Sequence, residues 1–343
     1  MSYYDEIRQQ PSVLIDFADF IEASCGVLAQ QIDDLMRETA PEEIIFSGMG
    51  SSLFVSEIAC TYLRRKGVRA FTLEANELLH FDRPTVGPHT LLVAVSQSGN
   101  SMETVRLCES YKDAPLITMT SREDGNLARY GKIRLFIKSG DEHFTSSKSY
   151  TNSAAAMAVL GLLLAGEKDK IPALCADLRT CAGQIRSILD DAGLPRSVDE
   201  FLSPCSCLTL VGSGASYATV EHGALVMLET ARLLSAEYTA GQFIHGPVEI
   251  IDEQFGCIIF DFDKEARADI DRVISLTEDF GGRTWIITDR VDLKEGERRK
   301  VLRLTCPDIF LSPLLEIVPV QLWAKYNAER NGLTPGVLHR VHK

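Results

Sequence analysis

Leu91-Leu92-Val93-Ala94-Val95-Ser96-Gln97-Ser98-Gly99-Asn100-Ser101 joins five apolar residues to a loop of hydroxyls, amides and one glycine, and a helix-length segment starts near Glu103. A short apolar run bounded by turn residues reads as a strand buried on both faces. The pattern recurs on either side. Glu43-Ile44-Ile45-Phe46 leads into Ser47-Gly48-Met49-Gly50-Ser51-Ser52, and Pro115-Leu116-Ile117-Thr118-Met119 and Leu135-Phe136-Ile137 follow the loop. The alternation restarts at Leu208-Thr209-Leu210-Val211 and continues through Ile258-Ile259-Phe260, Thr284-Trp285-Ile286-Ile287 and Val301-Leu302-Arg303-Leu304. Such strands, separated by helical segments, predict an α/β fold of parallel sheets flanked by helices. Residues 154–200 read as helices, one rich in Ala and Leu, then an amphipathic one around Leu174 to Leu189.

The second half repeats the first. At an offset of 164 residues, Gly48, Gly50, Ser52 and Glu57 fall on Gly212, Gly214, Ser216 and Glu221. Both sets sit where a strand ends and a helix begins, which favours an internal duplication. Neither copy completes the G-x-G-x-x-G of a dinucleotide site, because Leu53 and Tyr217 stand where the third glycine belongs. A nicotinamide cofactor is therefore not expected. The duplication is also uneven. Where the first copy has Ser96–Ser101, the second has Phe260-Asp261-Phe262-Asp263, acidic and without glycine. One anion site per chain is the expectation.

With 343 residues, 45% hydrophobic and 24% charged, the chain is an ordinary globular protein and not a disordered one. Roughly 150 residues per domain suggests about two domains. The net charge of −13 argues against general nucleic-acid binding. The longest apolar stretch, Ala154 to Ala165, is too short to span a bilayer, and the N-terminus has no signal-peptide pattern. Nine cysteines with no C-x-x-C, mostly within apolar runs, read as reduced thiols in a cytoplasmic protein. No metal spacing is present among the histidines, so neither a metal nor a cofactor is expected.

Three places carry candidate chemistry. The Ser96–Ser101 loop offers Ser96, Gln97, Ser98 and Ser101 as neutral donors at a helix N-terminus, where unpaired N–H groups and the helix dipole favour an anion. The alternative is a helix cap at Ser101. Four donors exceed what a cap needs, so a phosphate site is preferred. Ser52, after the first Gly-x-Gly, can point a hydroxyl at a ligand. Glu229 lies in Gly223-Ala224-Leu225-Val226-Met227-Leu228-Glu229-Thr230-Ala231-Arg232-Leu233-Leu234, a helix apolar on nearly every side. A poorly solvated carboxylate there suits a general base; pairing with Arg232 at i,i+3 is the equal alternative. His245, in Phe243-Ile244-His245-Gly246-Pro247, has no chemistry that its own neighbours single out.

Together these residues resemble the SIS (sugar isomerase) domain family. Within it, the chain is most similar to the double-SIS isomerase portion of glucosamine-6-phosphate synthase (glutamine–fructose-6-phosphate aminotransferase) and to the isomerases and deaminases related to it. The resemblance rests on six motifs in order: Glu6-Ile7-Arg8-Gln9-Gln10-Pro11; Met49-Gly50-Ser51-Ser52; Ser96-Gln97-Ser98-Gly99-Asn100-Ser101; Ser146-Ser147-Lys148; the block from Glu229 through Ala236-Glu237 and Ala240-Gly241-Gln242 to His245-Gly246-Pro247; and Val318-Pro319-Val320-Gln321-Leu322. It implies two SIS subdomains, each a flavodoxin-like αβα sandwich. The expected bounds are a helical arm at 1–30, SIS domains at 31–165 and 201–331, a helical linker at 166–200 and a tail at 332–343.

The resemblance also implies roles. Ser96, Gln97, Ser98 and Ser101 hold a phosphate, with Ser52 and Ser146 touching the sugar or phosphate. Glu229 moves a proton between C1 and C2. His245 assists ring opening from the neighbouring subunit of a homodimer, and Lys343 takes the place of the family's Schiff-base lysine. The family's lysine in the Glu229 helix is replaced here by Val226, and a glutamate by His222. No glutaminase half is expected, since position 2 is Ser. The expected function is isomerisation or deamination of a phosphorylated amino sugar. The rivals are a deglycase acting on a phosphorylated sugar–amino acid adduct, and a non-catalytic sugar-phosphate sensor.

Overall fold

The computed structural model describes residues 1–82 and 85–340. The chain divides into two compact units. One comprises Ser12–Asp141 and Lys148–Thr180; the other comprises Met1–Pro11, Glu142–Ser147 and the chain from Cys181 onward. The first helix, α1 (Tyr3–Thr39), contributes its opening turns to the latter and the rest to the former.

The unit containing Ser12–Asp141 is built on a sheet of β1 (Glu43–Gly48), β2 (Ala70–Glu74), β3 (Thr90–Val95), β4 (Leu116–Thr120) and β5 (Ile133–Phe136). All neighbours are parallel, in the order β2-β1-β3-β4-β5. Its helices are α2 (Ser51–Phe54), α3 (Ser56–Arg65), α4 (Ala75–His80), α5 (Met102–Ser110), α6 (Lys148–Leu164) and the start of α7 (Ile171–Asp190). Every residue of β3 is buried, as a strand covered on both faces requires. Ile45, Leu92 and Ala94 pack with Leu78, Leu107, Leu116 and Leu127 in one core cluster. The Ala/Leu-rich segment becomes α6, buried over its whole length, which is why it lacks an amphipathic stripe.

The other unit repeats this plan with β6 (Cys207–Gly212), β7 (Ser235–Thr239), β8 (Phe255–Asp261), β9 (Arg283–Thr288) and β10 (Arg299–Arg303). The order β10-β9-β8-β6-β7, all parallel, is the first sheet's order read from the opposite edge. The helices are the end of α7, α8 (Leu194–Leu202), α9 (Tyr217–Val226), α10 (Ala240–Phe243), α11 (Arg267–Asp279) and α12 (Ser312–Arg330). The duplicated α/β architecture expected from the strand pattern is the one found. Two strands go beyond the sequence reading. β2 and β7 are edge strands, half-exposed and without a continuous apolar run, so period and burial gave no signal for them.

Helix α12 carries a carboxyl with a measurable consequence. Glu316 is fully buried, accepts a hydrogen bond from Ser216 Oγ at 2.6 Å, and leaves Oε2 without a partner. Burial, only partly offset by hydroxyl donors including Ser216, pushes it up to about 7 from 4.5. The folded chain thus keeps a proton that the unfolded chain releases. Stability is lost as pH rises from about 4.5 through about 7, and nothing is lost below that window. Two and a half pH units correspond to about 3 kcal/mol. Glu316→Gln is expected to match wild type near pH 4.5 and to be about 3 kcal/mol more stable at pH 8. Urea unfolding followed by tryptophan fluorescence checks this, because the chain's two tryptophans, Trp285 and Trp323, both lie in this unit. A stability difference that does not change between the two pH values rules out the protonated carboxyl.

Candidate functional site

Sheet order 2-1-3-4-5 places a crevice where the connections leave β1 and β3 in opposite directions, at the carboxyl ends of those strands. The residues there are the ones after Gly48 and after Val95. Gly50 takes a positive φ of 49° and opens α2, which begins at Ser51. Ser52 Oγ accepts the Gln97 N–H at 3.4 Å, so the two turns are joined directly.

The Ser96–Ser101 loop is tied from several directions. Ser96 N donates to Met119 O at 3.0 Å, Ser121 N to Gln97 O at 3.0 Å, and Leu127 N to Gly99 O at 2.9 Å. Gly99 has φ +67°, and a Cβ there would lie 2.9 Å from Thr120 Oγ1 and 3.1 Å from Gly125 Cα. Only glycine fits this turn without displacing its neighbours. Ser98 is exposed, Gln97 and Ser101 are half-buried, and Ser96 is buried. Ser101 stands at the N-cap position of α5, yet its side chain makes no capping hydrogen bond. The first-turn N–H groups of α5 and three hydroxyls are thus gathered at one helix N-terminus, the arrangement that binds oxyanions.

The corresponding strand end of the other unit carries an ion-paired carboxylate instead. Gly48 lies opposite Val95, and Val211, one residue before Gly212, lies opposite Ile259, so Asp261 stands in the place of Ser96. Its buried carboxylate meets Arg290 Nη1 at 3.2 Å and Arg267 Nε at 3.8 Å. Arg290 also binds Asp271 and Asp292, and Arg267 binds Asp289. Burial raises the Asp261 pKa, with Arg290 and Arg267 opposing. Asp263 Oδ1 caps the next turn through Glu265 N at 3.1 Å. The carboxylate in the place of Ser96 and the guanidinium groups near it are thus paired with one another, which is the physical difference between the two copies.

Glu229 departs from the expected continuous helix. α9 ends at Val226, Met227–Ala231 form a π turn, and Arg232 leaves it with φ 54°. Such turns are rare and concentrate at functional positions. Arg232 is exposed, and among the described residues no ion pair joins it to Glu229, so the i,i+3 reading is not realised. Glu229 is half-buried, more open than an all-apolar helix implied. The Thr145 hydroxyl donates to Glu229 Oε2. Thr145 belongs to the segment Glu142–Ser147, which also carries the half-buried Ser146. A carboxylate held at one oxygen and open at the other is equipped to take and return a proton.

The remaining candidates are placed less tightly. His245 is exposed on the turn after α10, its N–H bonded to Gln242 O at 3.1 Å; among the described residues nothing bonds it to Glu229. Lys343 lies outside the described residues. No cluster of three His, Cys, Asp or Glu side chains suited to a metal occurs among the described residues. Burial pushes the Cys108 thiol up to about 12 and Cys175 up to about 11, which leaves them unreactive at neutral pH. No helix among the described residues is long and apolar enough to cross a membrane.

Comparison with known proteins agrees with this fold. The glutamine–fructose-6-phosphate aminotransferase (isomerizing) of Sulfurisphaera tokodaii is 22% identical over 334 residues, covering 96% of this chain and 54% of that protein. The chain thus spans about half the length of the curated relatives it matches. Among solved structures, the C-terminal domain of glucosamine-fructose-6-phosphate aminotransferase from Francisella tularensis superposes with a TM-score of 0.84 at 20% identity, covering 97% of this chain and 96% of that one. Tagatose-6-phosphate ketose/aldose isomerase from Escherichia coli gives 0.82 at 22% identity, covering 98% and 94%. The SIS domain model matches twice, at residues 39–165 and 201–322, once on each sheet. With both sheets covered, the chain belongs to the SIS domain family.

Proposed function

We propose that this chain is a sugar-phosphate isomerase or aminosugar deaminase. In this reading the phosphate is held by Ser96, Gln97, Ser98 and Ser101 with help from Ser52. Glu229 shuttles a proton between C1 and C2 of the open-chain sugar, Ser146 contacts the substrate, and His245 assists ring opening. Lys343 keeps the place of the family's Schiff-base lysine. The observation that carries the reading is the helix N-terminus at Ser96–Ser101, where Ser101 is not spent on capping and the equivalent loop of the second copy holds its own carboxylate. Turnover of a panel of hexose 6-phosphates, amino-hexose 6-phosphates and phosphorylated sugar–amino acid adducts tests it. Aldose–ketose conversion or amine release is the expected result. Cleavage of the adducts alone would move the assignment to a deglycase, and binding of the panel without any turnover would make the chain a sensor.

A homodimer belongs to the same proposal, because His245 is exposed and the resemblance assigns it to the neighbouring subunit's site. Mixing Glu229→Gln with His245→Ala chains is expected to recover activity that neither has alone, and sedimentation is expected to give a dimer. A stable monomer with full activity would refute the shared site.

A further inference from the structure

We propose that Thr145 is the positioning residue for Glu229, an inference that rests on reading Glu229 as the proton-transferring base. Thr145 is fully buried, and its hydroxyl donates to Glu229 Oε2. The loop that presents it is pinned at three points. Before Thr145, the buried Glu6 carboxylate accepts the His143 N–H at 2.7 Å and the Phe144 N–H at 3.4 Å. After it, Glu142 Oε1 accepts the Ser147 N–H at 2.9 Å and the Ser147 hydroxyl at 3.1 Å. The Thr145 N–H itself donates to Gly336 O at 2.9 Å. Gly336 has φ +71°, and a Cβ there would lie 2.8 Å from Tyr3 Cγ and 3.1 Å from Phe144 Cβ, so the tail turn that holds Thr145 is seated closely on Tyr3 and Phe144.

The physical argument follows from where Glu229 sits. Its side chain leaves a π turn that ends in a left-handed residue, and it is half-exposed, so helix packing alone does not fix its torsions. A base that removes a proton from one carbon and returns it to the next must aim one oxygen at both. Misplacement by about 1 Å can cost on the order of 10²-fold in rate. Binding Oε2 to a hydroxyl on a pinned backbone sets the carboxylate plane and leaves Oε1 for the proton. Burial gives Thr145 a strong reason to keep the bond, since a buried hydroxyl without a partner is costly.

The test uses the full chain and reads solvent deuterium entering C1 or C2 of fructose 6-phosphate, tagatose 6-phosphate and glucosamine 6-phosphate by proton NMR. Thr145→Val, which keeps the branched shape, is expected to slow exchange about 10-fold at saturating probe, with the half-saturating concentration within about twofold. Thr145→Ala is expected to show the same loss, and Thr145→Ser to restore the rate to within about twofold, because it returns the hydroxyl. In a Glu229→Gln background, Thr145→Val should add nothing, since the two act as one unit. Wild-type exchange by Thr145→Val and Thr145→Ala, alongside a slow Glu229→Gln, overturns the positioning role alone. Wild-type exchange by Glu229→Gln, or no exchange by the unmodified chain with any of the three probes, overturns the base assignment and the proposal with it.

Discussion

Glu229→Gln is expected to lower kcat on the best substrate of the panel by about 10²–10⁴-fold, the range seen when a general base is removed. Gln keeps the size of Glu, and its amide oxygen can still accept the Thr145 hydroxyl, so the loop Glu142–Ser147 should keep its place. What is lost is the ability to hold a proton. Ser96–Ser101 is untouched, so KM should change little, and the loss should appear in kcat and kcat/KM alike. That pattern marks an interaction made only in the transition state. Stopped assays for kcat, with calorimetry for binding of the substrate or of a competing sugar phosphate, separate the two quantities. An unchanged kcat would remove Glu229 from the reaction. It would not restore the simpler role as partner of Arg232, because that pair is absent among the described residues.

The difference between what the sequence disclosed and what it hid has consistent physical causes. β1, β3, β4 and β5, with β6, β8, β9 and β10, announced themselves as apolar runs ending in turn residues. Six of these eight are inner strands, which must be apolar on both faces in a parallel sheet. β2 and β7 escaped because neither carries a continuous apolar run, whereas the edge strands β5 and β10 do keep short ones. The Ser96–Ser101 loop was legible as a candidate anion site because its hydroxyls and glycine are contiguous. The asymmetry between the copies was legible as Asp261 against Ser96, but not its cause. Arg290 and Arg267 reach Asp261 from other elements, and no local pattern links residues that far apart. The π turn at Glu229 was hidden for a related reason: Met227–Ala231 has the composition of an ordinary helix, and the widening appears only in the backbone. Thr145 lies directly before Ser146-Ser147-Lys148, yet its role depends on Glu6, Glu229 and Gly336, which come from three distant parts of the chain.

Ser98→Asp and Ser101→Ala together decide whether the Ser96–Ser101 loop holds a phosphate or merely starts a helix. Ser98 is exposed, and its Oγ accepts the Asn100 N–H at 3.2 Å. An aspartate at 98 can accept the same bond, so the turn should survive. Its charge would face the phosphate, and two like charges about 4 Å apart at an effective dielectric near 20 repel by about 4 kcal/mol. A loss of affinity for sugar phosphate of about 10³-fold is the expected result, measured by calorimetry. Added salt should shrink the difference, because counter-ions screen charges at the surface. Ser101→Ala addresses the capping alternative. Removing a working N-cap costs about 0.5–2 kcal/mol of stability. The Ser101 side chain makes no capping bond, so the melting temperature should hold while affinity falls about tenfold or more, as expected for one lost hydrogen bond to a charged group. A lower melting temperature with unchanged affinity for sugar phosphate would make Ser101 a cap after all. Ser98→Asp binding sugar phosphate as tightly as wild type would place the anion elsewhere in the molecule.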